Sequence, residues 1–515
     1  MIATLLAQAS DWIRPHADWH ALAPELVLVV GINLVLLIDL WLEDTKKWMI
    51  GALTSFVFLG ALIPVITLAV VGDGVAGDGV RSMFFDRYVV DEYALILKAL
   101  FLLIGYVIVL MSQNELEEGG YYQGEFYLML LVSVLGMVMM ASSRDLVSVF
   151  VALELLSIPA YMMAAWRKRD AKSNEAGVKY YLLGVFASGV LLYGMSYLYG
   201  TTGTTKLTEI GASLAATDAG PGLIAMQVVA VVFVIVGFGF KVSAVPFHTW
   251  APDTYEGAPL PVTAFLSVAS KAAGFVGLVT MLYLAMYAAD GVYEPLIWIL
   301  AALTMTVGNV LALRQTNIVR MLAYSSISQG GFILMPLAVL ATGDAAESAL
   351  KSVVIYLLIY TFSNLGAFAV ILAVSRKTNS GEISAFGGLM SYSPGLGLLM
   401  TLFLVSLAGI PPFGIWIAKL QAFKTVLDAG GSAAYTLAII AAVNTVVAAA
   451  YYMKILREMW MKPVPDGDTT PINPPQPIWA ALTICAGGTL VLGILPGLVL
   501  RFADLEDLTN ALGGG

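Results

Sequence analysis

The chain has 515 residues but 61 charged side chains, 26 Lys and Arg against 35 Asp and Glu, where an average soluble composition would supply roughly 130. With 59% of its residues hydrophobic, it is excluded from the ordinary soluble enzymes and reads as mostly membrane. A net charge of −9 gives no electrostatic footprint for nucleic acid. The single Cys485 and the three histidines His16, His20 and His248 supply neither a disulfide, nor the thiolates of an iron–sulfur cluster or structural zinc site, nor a paired-His haem. The chain is therefore expected to bind no cofactor or metal of its own.

In chain order, residues 1–10 lack the basic start of a secretory leader, so an uncleaved N-terminus is expected. Apolar runs between polar breaks then predict about fourteen spans, at 22–41, 50–71, 93–111, 126–142, 146–166, 177–200, 223–250, 261–288, 296–313, 321–341, 352–374, 392–427, 434–453 and 476–500. The loop segment Gly72-Asp73-Gly74-Val75-Ala76-Gly77 matches GxGxxG. It follows a membrane span and precedes no Rossmann helix, so it is read as a loop.

An even number of spans puts both termini on one side. Thirteen Lys and Arg residues outside the spans (46, 47, 167, 168, 169, 172, 314, 320, 376, 377, 454, 457 and 462) then fall on the opposite side. Seven (14, 81, 87, 144, 206, 351 and 501) fall with the termini. The positive-inside rule places the thirteen in the cytoplasm of a bacterial cell, with both termini outside its plasma membrane.

Two spans are abnormal. The run 392–427 would be about 54 Å long as one helix, far beyond a hydrocarbon core of about 30 Å, and Pro411-Pro412 interrupts it. The run 223–250 is also long and carries Pro246 near its end. Both are read as discontinuous helices, tolerated where freed backbone faces protein or water. They are the seventh and twelfth spans, five apart, and five is odd. Two tandem five-helix units must therefore insert in opposite orientations. The expected fold is an all-α polytopic membrane protein: a three-helix N-terminal segment (1–111), a first five-helix repeat (112–288), an inverted repeat (289–460) and a C-terminal helix and tail (461–515).

Nine charged residues fall within spans: Glu25, Asp39, Lys98, Glu154, Lys179, Lys241, Lys271, Lys419 and Lys424. A charge at mid-bilayer costs at least about 2.5–3.5 kcal/mol, so a deep one needs a partner, water or a function. Glu25, Asp39, Lys98 and Lys424 lie near span ends, where a long stem can reach the interface. Glu154 is the deep carboxylate, with a fixed counter-ion role as its structural alternative. Lys241 and Lys419 each sit one to two turns from a break, Lys271 is about ten residues into its span, and Lys179 opens span 6 after a basic loop. Burial destabilises an ammonium and a nearby carboxylate restores it, so a row of such lysines can hold or pass protons. Na⁺ would want oxygen ligands. The polar run His248 to Glu256 is read mainly as capping for the broken helix, and Arg320 as a topology anchor.

The stretch Gly239-Phe240-Lys241-Val242-Ser243-Ala244-Val245-Pro246-Phe247-His248-Thr249-Trp250-Ala251-Pro252-Asp253, the span around Glu154, Arg320-Met321-Leu322-Ala323-Tyr324-Ser325-Ser326-Ile327, and Gly409-Ile410-Pro411-Pro412-Phe413 leading to Lys419 resemble the proton-conducting antiporter-like membrane subunits of respiratory complex I, NADH:quinone oxidoreductase. Within that family the chain is most similar to the N-type group: fourteen spans, no long C-terminal lateral helix of the L type, and a lysine at 419 where the M type usually has glutamate.

The resemblance implies Glu154 as a charge partner, Lys241 as a switching lysine, Lys271 as a central relay and Lys419 as a terminal lysine, with Lys179 modulating the Glu154–Lys241 pair. It matches His248 and Asp253 to motif positions without a role. It also implies that NADH, FMN, iron–sulfur clusters and quinone belong to partner subunits, and that the partners include a neighbouring antiporter-like subunit and small membrane subunits. A cation/proton antiporter component and a structural scaffold are the alternatives.

Overall fold

In hydrocarbon every backbone N–H and C=O must be bonded within the protein, so long apolar runs fold as helices. The structure, a computed structural model, describes residues 15–71, 80–120, 123–216, 221–340 and 345–501. Residues 1–10 and the motif at 72–77 lie outside the described residues. Among the described residues thirteen helices are long and apolar enough to cross a membrane. The fourteenth expected span, the twelfth in order, is divided into Pro394–Ala408 and Ile415–Ala429, each about 22 Å long and too short to cross alone.

The spans differ in depth. Span 8 (Leu260–Ala285) is buried along its whole apolar window, and spans 10 (Ile318–Val339) and 11 (Ala345–Thr378) nearly so, whereas spans 1, 2, 6 and 13 expose most of theirs. Polar groups on spans 8, 10 and 11 therefore have other helices, not lipid, as neighbours. Span 8 departs from α geometry twice, with π turns at Leu266–Ser270 and Met281–Ala285.

Several expectations are corrected. Span 7 runs as helix over Pro221–Lys241 and not to 250, because the chain folds back on itself: the N–H groups of Val242, Ser243 and Ala244 bond to the carbonyls of Phe238, Phe240 and Gly239, and Ser243 takes a left-handed φ of 59°. A short helix, Trp250–Gly257, follows. The last span ends at Ile494, and a separate turn, Pro496–Arg501, follows, since Pro496 has no N–H to continue the ladder. A two-stranded antiparallel ribbon, Arg81–Met83 with Tyr88–Val90, and a surface helix, Leu207–Ala215, are additions to the all-helical reading.

Glu25 and Lys98 are not span-end charges reaching for the interface. They form a buried ion pair at 2.7 Å, with the Lys98 side chain fully enclosed. Tyr88 from the ribbon donates to the same Glu25 oxygen at 2.5 Å. Met83, Tyr88 and Val90 of the ribbon pack with Ala21, Leu22 and Leu95 at the ends of spans 1 and 3. Asp39 pairs with Lys47 at 2.7 Å, and Lys424 is exposed.

One clasp occurs twice. Asp145 caps span 5 by accepting from Val147 N, and Asn317 caps span 10 by accepting from Val319 N. Around the first, Leu146 N bonds Thr205 O and Leu207 N bonds Arg144 O. Around the second, Ile318 N bonds Gly381 O and Ile383 N bonds Thr316 O. The helix contacts repeat as well: Gly136 meets the backbone of Ala152 and Leu156, and Gly308 that of Tyr324 and Ser328.

Candidate functional site

The site begins at the end of the first half of span 7. Lys241 is the last residue of that helix and is 3% exposed. Its ammonium donates to Ser157 Oγ at 2.7 Å and lies 6.0 Å from the Tyr180 ring centroid. Trp250 Nε1 bonds Phe240 O at 3.0 Å, and Thr304 Oγ1 accepts from Val245 N at 2.9 Å. These bonds satisfy backbone groups freed by the break. Trp250 also stacks on Tyr180, centroids 4.5 Å apart, so the break is walled by aromatic rings.

Glu154 lies on span 5 (Leu146–Ala164), one turn before Ser157. Its Oε1 is buried without a hydrogen-bond partner. Thus the structure brings Glu154 and Lys241 to the same face of span 5, with Ser157, not Glu154, as the direct acceptor.

Lys241 packs against span 8, the helix that carries Lys271. A Cβ at Gly274 would stand 2.9 Å from Lys241 Cγ, so the lysine stem rests on that glycine, three residues beyond Lys271. Lys271 directly follows the first π turn and is 2% exposed. Its ammonium donates to both Ser326 O and Ser326 Oγ at 2.7 Å. Gly330 of span 10 lies beside Lys271 and the turn that follows Lys241: a Cβ there would be 3.4 Å from Val242 O and 4.0 Å from Lys271 Nζ.

Span 10 continues the row. Ser326, Gln329 and Phe332 recur every three residues and so share a face. Gln329 Nε2 donates to Leu407 O at 3.0 Å and lies 3.3 Å from Tyr452 Oη, while Tyr356 donates to Gln329 Oε1. Lys419, on the second half of span 12, donates to Ala408 O at 3.2 Å and sits 4.6 Å from the Phe332 centroid. Gln329 and Lys419 therefore bind adjacent carbonyls at the C-terminal end of Pro394–Ala408, where the helix dipole favours a cation. Gly409 follows with a φ of +85°, and its missing side chain lets the Lys419 stem pass.

Lys179 is placed elsewhere. Because span 6 starts at Ala171, Lys179 is two turns from the helix start, half-exposed, and bonded to Asp253 and Glu175 at 2.8 and 2.7 Å. Arg320 joins it, pairing with Asp253 at 2.8 Å and Glu256 at 3.0 Å. These charges tie the short helix after the span-7 break to spans 6 and 10. Arg320 is thus a clamp as well as a boundary residue. His248 is half-buried, with Nδ1 unpartnered.

Residues 143–447 match the family described as NADH:quinone oxidoreductase/Mrp antiporter, transmembrane. The chain belongs to that family. Among its relatives is NADH-quinone oxidoreductase subunit N of Trichlorobacter lovleyi, 40% identical over 94% of this chain and 96% of its own length. A chain of respiratory complex I from Thermus thermophilus superposes with a TM-score of 0.75 at 30% identity, covering 93% of this chain and 99% of that one. A chain of the Mrp complex from Dietzia shares the fold, with a TM-score of 0.80 at 20% identity over 96% and 99% of the two chains. Within the NADH:quinone oxidoreductase/Mrp antiporter family the chain is most similar to the N-type subunits, and the row from Glu154 to Lys419 lies inside the matched region.

Proposed function

We propose that this chain is a proton-translocating membrane subunit of an NADH:quinone oxidoreductase, carrying protons along Glu154, Lys241, Lys271 and Lys419 while NADH oxidation and quinone reduction take place in partner subunits. The observation that carries the reading is the continuity of the row. Three lysines, each 4% exposed or less, hydrogen-bond only to hydroxyl or carbonyl oxygen at 2.7–3.2 Å. Among the described residues no carboxylate is within ion-pair distance of them. Such lysines have no fixed counter-ion to hold them permanently charged, which suits groups that gain and lose a proton. Lys179, bonded to Asp253, acts on the row through the helix after the span-7 break.

The paired clasps and the two broken helices support two inverted five-helix repeats, 112–288 and 289–460, beside an N-terminal segment (1–111) and a C-terminal helix and tail (461–515). By the positive-inside rule both termini lie outside the plasma membrane and the basic loops in the cytoplasm. The partners are further membrane subunits, with NADH, FMN, iron–sulfur clusters and quinone held among the subunits of the complex.

The test is Lys241→Ala and Glu154→Gln in the assembled complex, reading proton pumping coupled to quinone reduction. Both variants are expected to lose most pumping while the complex still assembles. Unchanged pumping in both refutes the site. Purification in mild detergent with flavin and iron–sulfur subunits supports the oxidoreductase. Their consistent absence supports a free-standing cation/proton antiporter instead.

A further inference from the structure

Ser157 holds the Lys241 ammonium at 2.7 Å, and its own hydroxyl donates to Leu153 O at 2.5 Å. The hydroxyl proton is thereby committed to the backbone one turn back, and a lone pair faces the lysine. Ser157 is 1% exposed, so no water at the protein surface competes for that position. Glu154, one turn away on the same helix face, keeps Oε1 without a hydrogen-bond partner, and forms no ion pair with Lys241 among the described residues.

A buried ammonium beside a half-buried carboxylate, one of whose oxygens is enclosed and unpartnered, should close on it, because an unpaired charge in low dielectric is costly. The serine is the group that intercepts it. In the second half Gln329, at the matching place on span 10, also reaches the broken helix, but as a donor to a backbone carbonyl, Leu407 O, at the end of the first half of span 12. In each half a polar side chain on the capped span grips the last turn of the broken helix.

We propose that Ser157 is a positioning residue that keeps the Glu154–Lys241 pair open, holding the lysine one turn from the carboxylate until the complex drives the pair closed. The inference rests on the proton-transfer role proposed for that pair. Exchange between the two acceptors requires no bond to carbon and no redox partner. The lysine hydrogen bond moves from Ser157 Oγ to a Glu154 oxygen, and the ion pair forms or opens.

The experiment uses the whole complex in proteoliposomes. Ser157→Ala removes the alternative acceptor, so the pair stays closed. Pumping is expected to fall about tenfold or more, the scale of one charge-assisted hydrogen bond. Ser157→Thr, which keeps the hydroxyl, restores it. In a Glu154→Gln background Ser157→Ala has little further effect, whereas a purely structural role would add its own loss. If Ser157→Ala fails to assemble, Ser157→Cys, similar in size but a weak acceptor, takes its place with the same expected loss. Normal pumping in Ser157→Ala or Ser157→Cys while Lys241→Ala is defective overturns the serine's role alone. Normal pumping in Lys241→Ala overturns the underlying reading with it. Failure of threonine to rescue an assembled complex also overturns the proposal.

Discussion

Glu25→Gln offers a direct measure of what the buried ion pair of the N-terminal segment contributes. The change keeps volume and removes charge, leaving Lys98, whose side chain is 0% exposed, without its counter-ion. Breaking one side of a buried pair costs about 3–5 kcal/mol. Because the pair ties span 1 to span 3, that cost appears as undocking of span 1, raising its opening equilibrium roughly a hundred- to a few-thousand-fold. Leu28, 0% exposed on span 1, is a suitable reporter. In a Leu28→Cys variant, the rate of maleimide modification follows the opened population when closing is fast. Glu25→Gln should raise that rate by at least two orders of magnitude, whereas the double variant Glu25→Leu/Lys98→Met should recover most of the protection, since an apolar replacement of both partners is close to neutral. A change of less than threefold, or no recovery in the double variant, refutes the reasoning.

Other predictions concern the second half. Gly409→Ala puts a Cβ 3.0 Å from Lys419 Cδ at a φ of +85°, which strains the backbone by about 1 kcal/mol and lifts the lysine from Ala408 O. Pumping should fall with assembly retained, while Gly430→Ala, at φ +71° with nothing nearer than 3.9 Å, should pump normally. Gln329→Leu leaves Leu407 O and the Tyr356 hydroxyl without their partner, at about 1–3 kcal/mol for each buried orphan. It should lower thermal stability of the complex and slow pumping. In the loop at 463–475, the Thr470 N–H and hydroxyl and the Lys377 ammonium draw Asp468 down from 3.8 to about 2. Its folded value lies below its ordinary one, so the loop's tie to Lys377 is fully present above pH 3.8 and is lost as pH falls through about 2. A carboxyl titration by NMR should show that midpoint, moving toward the ordinary value in Lys377→Met.

Deep charge is conspicuous in an apolar chain, and so Glu154, Lys241, Lys271 and Lys419 were legible from the amino-acid sequence. So were the breaks of spans 7 and 12, because proline removes backbone donors whatever surrounds it. Lateral neighbours were not. Depth along a span does not say which helix lies beside it, so Glu25 and Lys98 read as two interfacial charges and not as one buried pair. Ser157 gave no signal, since an isolated serine in a helix is unremarkable until its partner is known. Lys179 was expected to modulate the Glu154–Lys241 pair. Two turns from its helix start, it reaches Asp253 instead, a partner supplied by a short helix that the apolar pattern did not reveal. The inverted halves were suggested by parity alone. Asp145 and Asn317 are the local markers of that relation, but a lone Asp and a lone Asn are recognisable as equivalent caps only when each is seen to hold its own span.

The most direct test is the number of protons pumped per NADH oxidised by proteoliposomes carrying the complex with Lys271→Met. This residue joins the two halves of the row and has no contact with the charged network at the basic surface, so its loss interrupts transfer without undoing the clamps. The expected outcome is an assembled complex that still reduces quinone but pumps fewer protons per NADH. An unchanged ratio at unchanged turnover would contradict it.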